Sequence, residues 1–248
     1  MPRQSGEPSI ARPARFQTTS WSLVARAGDD DPDGRAAIEH LCRTYWPPLY
    51  SFLRISGKAP ADAEDLLQGF FIHVLERGVF GYAEQDRGRF RTFLIAALKQ
   101  FVAREYGREH AQRRRPEKGF VPLDVTSGEV EFSRRCRSGE TPEAVFERAW
   151  ALTLLDQARQ ILCDEYERAG KVQLFNTLVP SLAGDGSLES REVAQQLQMS
   201  DGAVRVAVHR LRQRYGTILR RLIVATLHDD LDVEDELKSL MDAVANKC

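Results

Sequence analysis

The sequence is poor in the residue types that form metal centres, disulfide frameworks and membrane spans. Its four cysteines, at positions 42, 136, 163 and 248, are spaced for neither a disulfide framework nor a CxxC zinc site, and its five histidines are equally scattered. The longest apolar run is the six residues 93–98, far short of the about 20 that cross a bilayer. We therefore expect reduced thiols, no metal and no membrane insertion.

Motifs of phosphate and acyl chemistry are missing as well. The chain contains no GxxxxGKS/T loop, no GxGxxG turn and no GxSxG elbow. Residues 1–15 carry three arginines but no apolar stretch of signal-peptide length. These absences weaken an enzyme interpretation without excluding one, and they predict a cytoplasmic protein without a cofactor.

Strand patterns are also lacking, which defines the fold class. No segment alternates β-branched and polar residues over the length of a strand, whereas apolar residues recur at helical spacing throughout. We predict an all-α protein, and 248 residues favour two small helical domains. The predicted divisions are an N-terminal extension (1–30), a helical domain (31–110), a flexible linker (111–140), a second helical domain (141–227) and an acidic C-terminal segment (228–248).

Charge is strongly segregated along the chain, although the net charge is only −1. Residues 86–118 carry ten basic against four acidic side chains, and residues 203–221 carry six arginines and no acid. Residues 61–76 carry four acids and no Lys or Arg, and residues 229–242 carry seven acids against one lysine. Basic blocks of this kind indicate an anionic partner such as nucleic acid.

Residues 192–212 have the pattern of a helix-turn-helix. Small Ala194 allows the two helices to approach, and the Ser200 hydroxyl is placed to cap the second helix. The outer face of that helix offers donors for phosphates and major-groove base edges. The predicted duplex-contacting residues are Ser200, Arg205, His209, Arg210, Arg212 and Arg214. The alternative is a solvated face of an ordinary helical bundle.

The first basic block suits single-stranded DNA, because its arginines could follow a backbone while aromatic rings stack on bases. Helical spacing, however, places Phe90, Phe93 and Phe101 in the core, so the basic side chains are the better candidates. The predicted strand-contacting residues are Arg87, Arg89, Arg91, Lys99, Arg104 and Arg108.

Three segments in order resemble the extracytoplasmic-function (ECF) sigma factors, the promoter-recognition subunits of bacterial RNA polymerase. Residues 62–71 (DAEDLLQGFF) are similar to the family's polymerase-docking helix, and residues 88–94 (GRFRTFL) to the start of its promoter-melting helix. The helix-turn-helix resembles its upstream-element reader. Order and spacing agree over about residues 35–225.

The resemblance implies two helical domains, sigma-two-like and sigma-four-like, and no catalytic activity of the chain's own. It implies core RNA polymerase and promoter DNA as partners, with an inhibitory anti-sigma protein as a further partner. A flipped base would enter the loop at 81–88. The polymerase-binding residues implied are Asp62, Glu64, Asp65 and Gln68, which also lie off the apolar stripe of their helix.

Four positions depart from the family pattern. Gly69 stands where a glutamate is usual in the docking helix. Gln100 stands for the usual asparagine of the melting helix, where it joins the predicted strand-contacting residues, and Arg104 for an aspartate. Gln198 replaces the glycine common in the helix-helix turn, where a non-glycine residue is strained.

Two other functions compete with a sigma factor. One is a helix-turn-helix regulator that binds an operator without docking on polymerase. The other is a nucleic-acid-modifying enzyme with Asp62 and Asp65 as metal ligands, although the helix dipole explains acids in a first helical turn.

The acidic C-terminal segment has two interpretations of its own. As a tethered anion it would compete with DNA for the arginines of the helix before it, and this competition would weaken as salt rises. As a capping helix it would bury apolar residues and leave its acids in water. The apolar set of that helix is Leu231, Val233, Leu237, Leu240 and Met241.

Overall fold

A computed structural model describes residues 32–76, 89–111, 129, 132, 139–183, 190–227 and 233–245. These residues are mostly helical and include no strand, which confirms the all-α prediction. The helices are α1 (Pro32–Ile55), α2 (Pro60–Glu76), α3 (Phe90–Ala111), α4 (Pro142–Arg168), α5 (Val172–Leu178), α6 (Ser190–Leu197), α7 (Asp201–Val224) and α8 (Val233–Ala245), with a 3-10 turn at Val179–Ala183. None of them combines the length and the apolar character that crossing a bilayer requires.

Side-chain caps define where two of the long helices begin. The Thr141 hydroxyl accepts a hydrogen bond from the Ala144 amide at 3.2 Å, and Pro142 occupies the first helical position of α4. The Ser200 hydroxyl accepts from the Ala203 amide at 3.3 Å at the start of α7. The Ser200 cap was predicted from the sequence, because capping depends on residues only a few positions apart.

One hydrophobic core runs through helices of both predicted domains. α4 packs along α1 and also contacts α7 and α8. Tyr45 and Leu49 of α1 belong to the same buried cluster as Trp150 and Leu154 of α4. The two-domain arrangement with a flexible linker is thus not confirmed, and most of residues 111–140 lie outside the described part of the chain.

Within the predicted linker, Glu129 and Phe132 are described, and both contact α1. The Glu129 carboxylate accepts hydrogen bonds from the Tyr50 hydroxyl at 2.8 Å and from Arg54 Nε at 2.8 Å. The Phe132 ring meets the Tyr50 ring edge-on, with 6.5 Å between centroids. The Arg54 hydrogen bond lowers the pKa of Glu129, whereas burial raises the pKa of Tyr50. This part of the chain is therefore anchored to α1 by charge and ring packing.

The C-terminal segment contains a helix that packs on the core. α8 contacts α4 and α7, Leu240 is buried, and Val233 and Leu237 pack against the core at its edge. This agrees in part with the capping-helix interpretation, with two differences: Met241 is 46% exposed, and the Glu236 carboxylate is buried instead of facing water. Leu231 lies outside the described residues. The acids at positions 229, 230 and 232 lie outside the described residues.

Candidate nucleic-acid interface

A tight turn of three residues joins α6 to α7. Gln198 has a φ of 54°, a left-handed conformation that favours glycine. Its amide donates to the Gln195 carbonyl at 3.2 Å, and the Met199 amide donates to the Ala194 carbonyl at 2.9 Å, which together form a Schellman cap. Because α6 and α7 also pack against each other, the chain has the two helices and the short turn that the helix-turn-helix prediction requires.

The first half of α7 turns a basic face outward. Val204 and Leu211 are buried, while Arg205, His209 and Arg210 are exposed. Positions 205 and 209 are four residues apart and so lie one above the other on the helix surface. These three side chains can reach an anionic ligand without any rearrangement of the core.

Arg212 and Arg214 differ from these three residues because each is tied to another element. The Arg212 guanidinium donates to the Ser181 carbonyl at 2.7 Å, although the side chain remains exposed. Arg214 Nε donates to a Glu165 carboxylate oxygen at 2.8 Å, which lowers the pKa of Glu165 and raises that of Arg214. Arg214 therefore links α7 to α4 in this structure. Ser200 acts as the helix cap.

Arg91 requires a correction, because its side chain is not accessible to a nucleic acid in this conformation. It is only 2% exposed and donates to Glu147 at 2.7 Å and to Glu236. Its guanidinium also stacks over the Trp150 ring, 4.2 Å from the centroid. The sequence carries a signal for this burial, because Arg91 lies three residues before buried Leu94, on the same helix face.

Lys99 of α3 and Arg89, which directly precedes α3, are also paired with acids of other helices. The Lys99 ammonium lies 2.7 Å from the Glu143 carboxylate in an exposed ion pair. Arg89, which is half-buried, lies 2.8 Å from Glu236 at the distance of an ion pair. The N-terminal turn of α4 and the first turn of α8 thus supply acids to the basic side of α3.

Two other predicted strand-contacting residues of α3 are exposed. Gln100 and Arg104 are exposed, and an Arg104 nitrogen lies 3.2 Å from His73 Nε2. Phe90 and Phe101 are buried, as helical spacing predicted. Arg87 and the side chain of Arg108 lie outside the described residues.

The outer face of α2 combines acids with an apolar residue. Asp62 and Asp65 are exposed, and Glu64 and Gln68 are half-buried. Ile72 is 48% exposed one turn beyond Gln68 and is not among the predicted docking residues. The sequence signal that could have identified Ile72 is an apolar residue that lies outside the apolar stripe of its helix.

Gly69 of α2 lies close to α3. A Cβ atom at this position would lie 3.2 Å from Cζ of the Phe101 ring, so any other residue would require the ring to shift by a few tenths of an ångström. Among the described residues, no group of three His, Cys, Asp or Glu side chains is placed to hold a metal ion.

Comparisons of this chain with protein-family models, with curated proteins and with solved structures find no match.

Proposed function

We propose that the chain is a sigma factor, which binds core RNA polymerase in the cytoplasm and directs promoter-specific initiation of transcription. The observation that carries this proposal is the capped turn between α6 and α7, with Arg205, His209 and Arg210 exposed on α7. In this proposal α1–α3 form the sigma-two-like part, and α4–α7 form the sigma-four-like part.

Recognition of duplex DNA falls to α7. Its exposed arginines and histidine would enter the major groove around the minus-thirty-five element, where arginine can donate two hydrogen bonds to a guanine. The Arg212 guanidinium donates to the Ser181 carbonyl, and this hydrogen bond holds it in place near the exposed face of α7. A held donor loses less conformational entropy when it binds.

Docking on polymerase falls to α2. The exposed carboxylates of Asp62 and Asp65, the half-buried Glu64 and Gln68, and the exposed Ile72 supply charged, polar and apolar contacts on one helix. Such a surface combines electrostatic orientation of the partner with burial of apolar area. The protein needs no catalytic group or cofactor in this role, because polymerase performs the chemistry.

The melted strand of the minus-ten element would lie along α3. Gln100 and Arg104 are exposed and are the described residues best placed to contact it. Arg89 and Lys99 could join them only by exchanging their carboxylate partners for phosphates. The strand-contacting role of α3 is therefore centred on its C-terminal half in the present conformation.

Transcription in vitro tests the proposal and its nearest alternative together. Purified core polymerase, a genomic DNA library and the protein should yield specific transcripts that are absent when the protein is omitted. A regulator of the operator-binding kind would bind DNA but would neither co-purify with core polymerase nor produce new transcripts. That result would overturn the sigma-factor proposal while leaving the duplex-binding role of α7 intact.

A further inference from the structure

Helices α3, α4 and α8 meet at a cluster of charges that is centred on a buried ion pair and that duplex recognition and polymerase docking do not use. The Glu236 carboxylate of α8 is 1% exposed and accepts a hydrogen bond from Arg91 of α3. Its other oxygen lies 2.8 Å from Arg89 Nε, and Glu147 of α4 lies 2.7 Å from Arg91 Nε. Trp150 forms the floor of the cluster beneath Arg91.

Through this cluster, the packing of α8 on the core depends on the ion pairs at the start of α3. Charges buried in this way are stable only together, because removal of one partner leaves the other uncompensated in a medium of low dielectric constant. α8 is also held by buried Leu240, so Glu236 and Leu240 leave the core together when the helix detaches. Detachment of α8 would leave Glu147 as the carboxylate paired with Arg91 and would uncover Arg89.

We propose that α8 is a clasp that closes the basic first turn of α3 by placing Glu236 where an anionic strand would otherwise bind. A nucleic-acid strand and α8 then compete for Arg89 and Arg91, and strand binding shifts the population toward an open form with α8 released. This inference rests on the strand-contacting role proposed above for α3. It differs from competition by a surface acid, because the competing carboxylate is buried.

The test compares two full-length variants with the same change in charge. Glu236→Gln removes the buried carboxylate, whereas Asp235→Asn removes an exposed one next to it on α8. Fluorescence anisotropy with a labelled single-stranded oligonucleotide should give at least about tenfold tighter binding for E236Q than for D235N, because the competent open form is more populated. D235N should bind like the wild type.

Salt separates the clasp from a surface effect. The affinity of every variant for the strand should fall as salt rises, because binding releases counterions from the strand and this release is less favourable at high salt. The ratio between E236Q and D235N should persist, since ions screen a buried pair only weakly. A ratio that falls to one at high salt, or equal binding by both variants at every salt, would overturn the clasp.

A measurement on the wild type covers the case in which E236Q fails to fold. Hydrogen exchange of α8 amides should become faster when the oligonucleotide saturates the protein, while exchange in buried α4 stays unchanged. Unchanged exchange in α8 at saturation would overturn the clasp even without a variant.

The failures of the two proposals are distinguishable. If the wild type binds the strand and α8 keeps its protection, the strand role of α3 stands and the clasp alone is wrong. If no form of the protein binds the strand, including E236Q with a normal circular-dichroism spectrum, the strand role of α3 is wrong, and the competition proposed at α8 fails with it.

Discussion

Gln198 bears the conformational strain of the turn that sets α7 against α6. Its φ of 54° brings the side chain of an L-residue close to the following carbonyl, at a cost of about 1–2 kcal/mol. We expect Gln198→Gly to raise the free energy of unfolding by up to about 1 kcal/mol, because part of the gain is offset by the greater freedom of glycine in the unfolded chain. Urea denaturation measures the difference.

The matched control lies three residues earlier on the same segment. Gln195→Gly places glycine in helical backbone and should lower the free energy of unfolding by about 0.5–1 kcal/mol. Equal losses of stability in both variants would contradict the positive φ at position 198.

Arg205 and Arg214 carry the same charge on one helix but have different surroundings. Arg205 is exposed on the outer face, whereas Arg214 is bound to Glu165 of α4. We expect Arg205→Ala to relax preference at one base pair by about 1–3 kcal/mol if the guanidinium contacts a guanine, and to weaken all sequences alike if it contacts a phosphate. Binding to a panel of promoter duplexes distinguishes these outcomes.

Arg214→Ala is the control for that substitution. It should lower thermal stability through loss of the link to α4 and should leave base preference unchanged. If Arg205→Ala has no effect on affinity or preference at low salt, α7 does not enter the groove with that face.

The link between α4 and α7 should depend on pH through Glu165. The Arg214 hydrogen bond lowers the pKa of Glu165 in the folded state, so its contribution to stability is present above the unfolded pKa and is lost as pH falls through the folded value. The stability difference between wild type and Glu165→Gln should therefore be largest near neutrality and shrink below about pH 4.3. Because both side chains are partly exposed, the difference should not exceed about 1 kcal/mol. A constant difference down to pH 3 would contradict it.

At the scale of the element, α2 allows the most direct test of binding to core polymerase. Reversal of both exposed acids, in the double variant Asp62→Lys and Asp65→Lys, should abolish co-purification with core polymerase, because the proposed contact is electrostatic. Helicity should change little, since both side chains face solvent and the loss of an acid from the first helical turn costs only about 0.3–1 kcal/mol. A pull-down with purified core polymerase measures the retained protein.

Reversal of two exposed acids on α8 controls for net charge. Asp235→Lys together with Asp242→Lys changes the charge of the protein equally but on another helix. Retention of the α2 variant at the wild-type level, or loss of both variants alike, would remove α2 from the docking role.

Local features of these elements could be predicted from the sequence, and contacts between distant elements could not. The caps at Thr141 and Ser200 and the strained position 198 follow from neighbours within a few residues. The burial of Arg91 has a local sign, but its partners Glu147 and Glu236 come from two other helices. Periodicity tells which face of a helix is covered and does not tell what covers it.

For the whole molecule, the proposed function requires that the extended contact between α1 and α4 can open. Elements centred about 35 and 10 base pairs upstream are separated by about 85 Å of duplex, at about 3.4 Å per base pair. A compact chain of 248 residues has a radius of gyration of about 18 Å. One packed molecule cannot reach both elements, so a sigma factor with this fold would have to separate α4 from α1 on polymerase.

Thr44 offers a way to weaken that contact alone. The Gln157 side-chain amide of α4 donates to the Thr44 hydroxyl of α1 at 2.9 Å, and Thr44 is buried. Thr44→Val keeps the shape but removes the acceptor of the partly buried Gln157 amide, so the free energy of unfolding should fall by about 1 kcal/mol. If the halves separate on polymerase, the same variant should need less protein for half-maximal transcription, by up to about tenfold, because less free energy is lost on opening.

Thr153→Val is the control for Thr44→Val, because the Thr153 hydroxyl donates to the Ala149 carbonyl within α4 itself at 2.8 Å. This variant removes a hydrogen bond within α4, so it should alter stability and leave the concentration for half-maximal transcription unchanged. The pair therefore separates loss of folded protein from release of an interface. If Thr44→Val lowers transcription only in proportion to its loss of folded protein, the contact between α1 and α4 stays closed during initiation. The proposal that this chain contacts both the minus-thirty-five and the minus-ten element is then wrong.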